Sequence, residues 1–328
     1  MKRFLIFFSG VIFFCFIIYY GIGFYIATSI LKMDHTCGLH ENSLPNTWST
    51  KVDVYNNNYA SHKLRQNFAY EKYYLDDWQN IYFPSLEKGI KLNGWLFNYF
   101  PKRPIVIVVH GLFPNGKCKP ESNLIASMLI SKKINAFTID LRNYGQSDIV
   151  SEYEDLGLRS YKDVLGAINF LEEIGFDSNQ IGLHGISLGA STVIFAAAEN
   201  KNINAIWAES SLAEFNLILK DEIARYGLPS IFGPAVSFAG KTLTGIDPAE
   251  LNPAKKLSLT QNYFFTHGEK DLRILPHHFT YLKNYSESNN IKSTFWLVPN
   301  TYHVDSMFKY TDEYADKMKT FFEKHLNE

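Results

Sequence analysis

Apolar and polar positions divide the chain into an apolar head, a polar connection and a long segment in which short apolar runs alternate with amphipathic stretches. Residues 4–31 are a run of 28 positions without a charged side chain. As a helix this run measures about 42 Å against about 30 Å of hydrocarbon, so it can span a bilayer with room to tilt. Residues 33–79 are polar and rich in Asn and Tyr, with Asn56-Asn57-Asn58 as a break and one or two helices expected within 59–78. From residue 80 onward the apolar runs have strand length: 80–83, 90–99, 105–109, 134–139, the run opening at Ile181, 203–209, 262–266 and 293–298. The first two read as an antiparallel hairpin. Residues 105–109, five β-branched side chains in succession, suit a strand covered on both faces. Helices are expected over 123–132, from 161 to about 175, over 190–198, over 276–285 and over 310–325; Tyr161, Val164, Leu165, Ile168 and Leu171 fall at helical spacing. Strands alternating with helices predict an α/β architecture with a mostly parallel sheet and helices on both faces. Reactive groups in such sheets gather beyond the carboxyl ends of the strands.

Composition changes this picture little. With 328 residues, 46% of them hydrophobic, there is material for one large domain with a core. A net charge of -1, from 32 basic and 33 acidic residues, does not favour a nucleic-acid partner. The apolar head is longer than the 7–15 residues or so of a signal-peptide core, although Ala27-Thr28-Ser29 is an imperfect cleavage site. An uncleaved anchor over 1–32 is therefore expected, followed by a tether and cover over 33–79 and a catalytic domain over 80–328. Lys2 and Arg3 precede the span, whereas Lys32, Asp34 and His35 after it nearly balance. That asymmetry keeps the N-terminus in the cytoplasm and puts the catalytic domain on the non-cytoplasmic side. Of three cysteines, Cys15 lies in the span; Cys37 and Cys118 either pair in an oxidising compartment or stay separate. His35, Cys37 and His40 resemble part of a metal site but lack a fourth ligand, so no metal or cofactor is assigned.

Candidate chemistry concentrates at Gly185-Ile186-Ser187-Leu188-Gly189, the G-x-S-x-G pattern of a nucleophile elbow. A serine that attacks a substrate must stand clear of the backbone on a tight turn, and a Cβ at either flanking position would strike a neighbouring element. The pentapeptide is weak alone, because glycine and serine are common. Its context is stronger: Ser187, Asp271 and His303 follow in the order nucleophile, acid, base, each just after an expected strand. A hydroxyl needs a base within hydrogen-bond reach, and the base needs an orienting carboxylate. Asp247 and Asp305 are the rival acids; Asp247 reads as a turn cap, and Asp305 lies two residues from His303. His110, His184 and His267 read as structural, His277 and His278 as surface residues, and Asp140 with Arg142 as a loop-bracing pair. Residues 210–260 are too long for a plain connection and read either as a cap lining an acyl pocket or as helices covering the sheet.

Residues 80–328 resemble the α/β-hydrolase superfamily. The resemblance rests on His110-Gly111, on Asp140-x-Arg142-x-x-Gly145-x-Ser147, on the Ser187 elbow, on His267-Gly268-x-x-Asp271 and on the His303 turn. With the N-terminal apolar run, the chain looks most like the membrane-anchored α/β-hydrolase-domain proteins. This implies Ser187 as nucleophile, Asp271 as acid, His303 as base, and the backbone N–H groups of Leu112 and Leu188 as oxyanion donors. Two departures stand out: the loop after His110 is Gly-Leu-Phe-Pro rather than Gly-rich, and Asn143 occupies a position where glycine is common. The expected activity is a serine hydrolase cleaving esters or thioesters of apolar acyl groups through an acyl-enzyme. A peptidase using the same residues, or a catalytically silent scaffold on the same fold, are the alternatives.

The topology makes a prediction. In intact cells, externally added protease should digest the C-terminal domain, and in sealed inverted vesicles the domain should be protected; the reverse pattern would overturn the orientation.

Overall fold

A computed structural model describes residues 2–33, 43–49, 60–112 and 116–326. Its centre is an eight-stranded sheet: β1 (Gln79–Pro84), β2 (Lys91–Phe97), β3 (Ile105–Val109), β4 (Asn135–Asp140), β5 (Ile181–Ile186), β6 (Ala205–Glu209), β7 (Asn262–Gly268) and β8 (Lys292–Val298). The spatial order is β1-β2-β4-β3-β5-β6-β7-β8. Only β1–β2 and β2–β4 pair antiparallel; every other neighbouring pair is parallel. All eight strands sit where the apolar runs predict them, and the first two form the expected hairpin.

The helices are α1 (Lys2–Leu31), α2 (His62–Gln66), α3 (Pro120–Ser131), α4 (Tyr161–Glu173), α5 (Leu188–Glu199), α6 (Phe215–Arg225), α7 (Gly233–Thr244), α8 (Pro253–Lys256), α9 (Pro276–Ser288), α10 (Ser306–Lys309) and α11 (Thr311–His325). The strand alternation explains why the sheet needs cover on both sides. On β3, Ile105, Ile107 and Val109 join a core with α4, α5 and α9, whereas Val106 and Val108 join a second core with α3 and α11. β6 repeats the split, and Trp207 on the α11 side stacks on Phe264 with ring centroids 3.8 Å apart.

Three expectations are refined. Helix α3 begins three residues early, because Pro120 sits at its first turn, where a missing N–H costs nothing. Residues 60–78 give only α2 and a 3-10 turn at Tyr70–Tyr73; aromatic packing of Trp48 with Phe68, Tyr70 and Tyr74 holds this cover in place of helix hydrogen bonds. Asp140 and Arg142 do not pair with each other. Asp140 is buried against the Lys117 ammonium, and Arg142 grips Asp163 at 2.7 Å and Glu87 at 2.9 Å. Both still brace their loop. Asn143 adopts φ 68°, the left-handed region that asparagine tolerates better than most residues, and its Oδ1 accepts from Val150 N and Ser151 N. The readings of His35, Cys37 and His40, and of the Asn56–Asn58 break, lie outside the described residues, so the pairing of Cys37 with the buried Cys118 does as well.

A polar chain runs through the second core. Tyr314 donates to Glu209 Oε2 at 3.1 Å, and His184 Nε2 meets Tyr314 Oη at 3.0 Å. Burial pushes the Glu209 carboxyl up to about 8, and burial lowers His184 to about 3. Between the ordinary glutamate value of 4.5 and about 8, the folded chain keeps a proton that the unfolded chain releases. Stability should therefore be fullest below that window and fall as pH rises through it. Glu209→Gln should make the decline of unfolding free energy between pH 5 and 8 shallower, by up to about 1.4 kcal/mol per pH unit. Urea titrations across that range check it; an unchanged slope would mean that Glu209 is ionised in the fold.

Candidate active site

Ser187 occupies the turn between β5 and α5 at φ 54°, ψ -110°. Its N–H donates to the Glu209 carbonyl at 2.8 Å, which ties the turn to the next strand. The two flanking glycines are there for space. A Cβ at Gly185 would run into the Gly189 carbonyl, and one at Gly189 into the Val109 carbonyl of β3. Helix α5 thus starts directly against the sheet, and its first-turn N–H groups, Leu188 foremost, have no partner within the helix.

His303 and Asp271 come from the loops after β8 and β7. His303 Nε2 lies 3.0 Å from Ser187 Oγ, and His303 Nδ1 lies 2.7 Å from Asp271 Oδ2. Asp271 is buried, yet its carboxyl is held down at about 2: burial pushes it upward, and the charge and hydrogen bond of His303 outweigh that push. Its other oxygen accepts from the N–H groups of Arg273 at 2.8 Å and Ile274 at 2.9 Å. An ionised carboxylate only accepts, so the imidazole proton sits on Nδ1 and Nε2 is free to accept from Ser187. His267 stands behind the acid, donating to the Ile274 carbonyl at 2.8 Å, with burial holding it below the usual histidine range.

The rival acids are otherwise engaged. Asp305 accepts from Ser61 N at 2.6 Å through one oxygen and from Arg65 Nε at 2.9 Å through the other, whereas His303 Nδ1 meets Asp271. Asp247 accepts from Ala249 N at 3.1 Å and pairs with Lys241 at 2.7 Å, as a turn cap does. His110 is structural: its ring bridges the Gly111 carbonyl and the Leu141 N–H, and burial lowers it to about 4. The surface reading fails for His278, which is fully buried. Asp221 on α6 draws it inward: His278 accepts from Ala213 N through Nδ1, and its Nε2 lies 3.2 Å from the Asp221 carboxylate, with His277 Nε2 on the same oxygen at 2.8 Å. This trio is spaced for a cation, but the Nδ1 contact puts the His278 proton on Nε2, leaving no lone pair facing the cluster. It works instead as a brace between α6 and α9.

Ser187 and His303 open onto a cavity of about 380 Å3, within the size range of small-molecule sites. Gly111, Leu112 and Leu188 line it beside the serine; Leu212, Ile218, Leu219 and Val236 make its depth apolar. Lys119 is buried beneath Leu112, donating to the carbonyls of Gly111 and Leu112. Pinning these carbonyls fixes the peptide plane that carries the Leu112 N–H. Two contributions escape the sequence reading. Arg65, which clamps Asp305 and pairs with Glu121 at 2.5 Å, lies 240 residues from the loop it holds. Residues Ala27, Ser29, Ile30 and Leu31 at the end of α1 also line the cavity, and nothing in their apolar pattern distinguishes them from lipid-facing residues.

Comparisons with known proteins agree with this architecture. An esterase from Pyrococcus furiosus superposes with a TM-score of 0.61 at 17% identity, covering 83% of this chain and 96% of that one. An acylaminoacyl peptidase from Pyrococcus horikoshii superposes with a TM-score of 0.58 at 18% identity, over 76% of this chain and 42% of that one. A thiohydrolase of Aspergillus aculeatus is 29% identical over 127 residues, and an uncharacterised 31.7 kDa protein of Escherichia coli is 26% identical over 143 residues. The chain spans 39% and 48% of the lengths of these two relatives. The family model for prolyl oligopeptidases matches residues 141–328, the segment holding the elbow and both partner loops. That match covers more than half of the chain and sits on a hydrolase sheet, so the protein belongs to the prolyl oligopeptidase family, within the α/β-hydrolase superfamily.

Proposed function

We propose that the protein is a membrane-anchored serine hydrolase that cleaves esters or thioesters of apolar acyl groups. The observation that carries this reading is the hydrogen-bonded series Ser187–His303–Asp271, with contacts of 3.0 and 2.7 Å, opening onto a cavity whose lining is largely apolar. His303 takes the hydroxyl proton as Ser187 Oγ bonds to the acyl carbon. The N–H groups of Leu188 and Leu112 stabilise the oxyanion, each worth about 10²–10³ in rate. The bond to the leaving alcohol or thiol breaks, and His303 returns the proton to it. Water then attacks the acyl-enzyme, with His303 again accepting a proton, and releases the acid. Asp271 holds the imidazole in the required tautomer. In this reading residues 80–328 are the hydrolase unit, with 210–260 as its cap. The apolar N-terminal helix, long enough over Ile6–Leu31 to cross a membrane, is the anchor. The basic Lys2 and Arg3 favour a cytoplasmic N-terminus.

A peptidase is the second reading, favoured by the family match and by the superposition on an acylaminoacyl peptidase. The same residues attack an amide by the same steps, so substrate comparison separates the two. Full-length protein should react with a fluorophosphonate probe, and Ser187→Ala should abolish the labelling. Asp271→Asn should lower kcat by about 10⁴-fold. Hydrolysis of p-nitrophenyl esters well above that of aminoacyl p-nitroanilides supports the ester reading; the opposite order selects the peptidase. Equal labelling of wild type and Ser187→Ala overturns both.

A further inference from the structure

The cavity wall supplied by α1 is unusual, because it comes from outside the sheet and its covering helices. Helix α1 reaches the cavity by crossing α7 at close range. A Cβ at Gly23 would lie 2.6 Å from the carbonyl carbon of Ala235, so only a glycine permits that approach. Beyond the crossing, Ile26, Ala27 and Leu31 are buried with Ile223, Val236 and Ala239 in a small core of their own. The end of the helix is then fixed from several sides. Ser29 Oγ bonds Tyr226 Oη at 2.5 Å, Met33 N donates to the Glu152 carbonyl, and Glu154 N donates to the Leu31 carbonyl. These contacts set Ala27, Ile30 and Leu31, with Val236 and Gly240 of α7, as one side of the chamber that holds Ser187. None of the five carries a polar side-chain atom; Ser29 lines the cavity beside them, with its hydroxyl bonded to Tyr226 Oη.

The same helix has a second environment. Upstream of the crossing, Phe7, Phe13 and their apolar neighbours stand open. Between the two regimes lies a band of tyrosines: Tyr19 and Tyr20 pack on Phe232 and Phe238 of the cap, and Tyr25 packs on Tyr226. Tyr19 also donates to the Ile231 carbonyl at 2.7 Å. Ile231 and Phe238 are themselves more than half exposed on this side, adjoining the open apolar stretch of α1. Tyrosines concentrate where a spanning helix meets the headgroups. The rise from Tyr19 to Ala27 is about 12 Å, so the chamber begins within about two helical turns of that level.

We propose that the inner end of α1 is an acyl-tail subsite, and that it receives the tail of an acyl ester or thioester dwelling in the bilayer. The anchor is then part of the substrate site as well as a tether. The inference rests on the serine-hydrolase reading above. With the tail against Ala27, Ile30, Leu31 and Val236, the acyl carbonyl lies toward Ser187. The charged side chains of Glu222, Arg225 and Arg273 also line the cavity, and they are paired, with both guanidinium groups on Glu222.

The test uses the full-length protein in detergent micelles, with p-nitrophenyl acetate and p-nitrophenyl decanoate as probes. In wild type, kcat/KM should rise about fourfold per added methylene until the chamber is filled. Ala27→Trp fills the subsite and Gly23→Leu forces α1 off α7; each should lower the decanoate-to-acetate ratio of kcat/KM at least tenfold. Ile30→Ala, which removes volume without crowding the fold, should move the preferred chain length upward. Gly21→Leu, on an open face of α1, should leave the ratio at the wild-type value. An unchanged ratio in Ala27→Trp and Gly23→Leu, with no shift in Ile30→Ala, overturns the subsite. A second arm places the protein in phosphatidylcholine vesicles with p-nitrophenyl palmitate. A rate that follows the ester's mole fraction in the bilayer supports the membrane source, and a rate that follows its bulk concentration overturns it. Wild type that neither hydrolyses any ester nor reacts with a fluorophosphonate at Ser187 overturns the hydrolase reading and this subsite with it.

Discussion

A single strained residue sets the geometry of the site. Ser187 sits at φ 54°, a backbone conformation that costs on the order of 1–3 kcal/mol for a residue with a side chain. Nothing local favours it. It persists because β5 is locked between β3 and β6, and because α5 starts hard against β3 with only hydrogens at Gly185 and Gly189 between the elements. Relaxing the turn would mean pulling a central strand or a buried helix out of place. The sheet thus imposes on one residue a conformation that lifts its hydroxyl clear of the backbone and sets the N-terminus of α5 beside it.

The two loops that complete the site are held by different means. Asp271 is placed by hydrogen bonds from the next residues of its own loop and by His267 behind it. The His303 loop is held from far away, through Asp305, which Ser61 and Arg65 of the N-terminal cover grip. A buried guanidinium shared between Asp305 and Glu121 would be costly to leave half-paired. That same grip keeps Asp305 from competing with Asp271 for the imidazole. The two acids differ in sequence distance from His303, but their partners decide which one faces it.

The sheet was readable in the sequence because burial on both faces writes continuous β-branched and aromatic runs, and the runs at 105–109 and 203–209 match strands closely. That Ser187, His303 and Asp271 come together in space was legible because each follows an expected strand, and the carboxyl ends of parallel strands share one rim of the sheet. Long-range clamps left no such mark. Arg65 looks like any basic residue of a polar segment, and Lys119 like a loop lysine, until folding puts each against carboxylates or carbonyls. His278 misled for a related reason: its neighbour His277 is half-exposed, and Asp221, which holds the pair, lies 56 residues before the nearer one. The end of α1 hid in plain view, since a residue that lines a cavity and one that faces lipid are equally apolar.

The close crossing of α1 and α7 has a practical corollary. Cutting the chain after residue 33, the usual way to obtain such a domain without detergent, would strip one side from the chamber and uncover Val236, Ala239 and Ile223. The product would be an open trench with a sticky flank. Any preference for small, water-soluble compounds recorded on that trimmed form would describe the surgery rather than the enzyme.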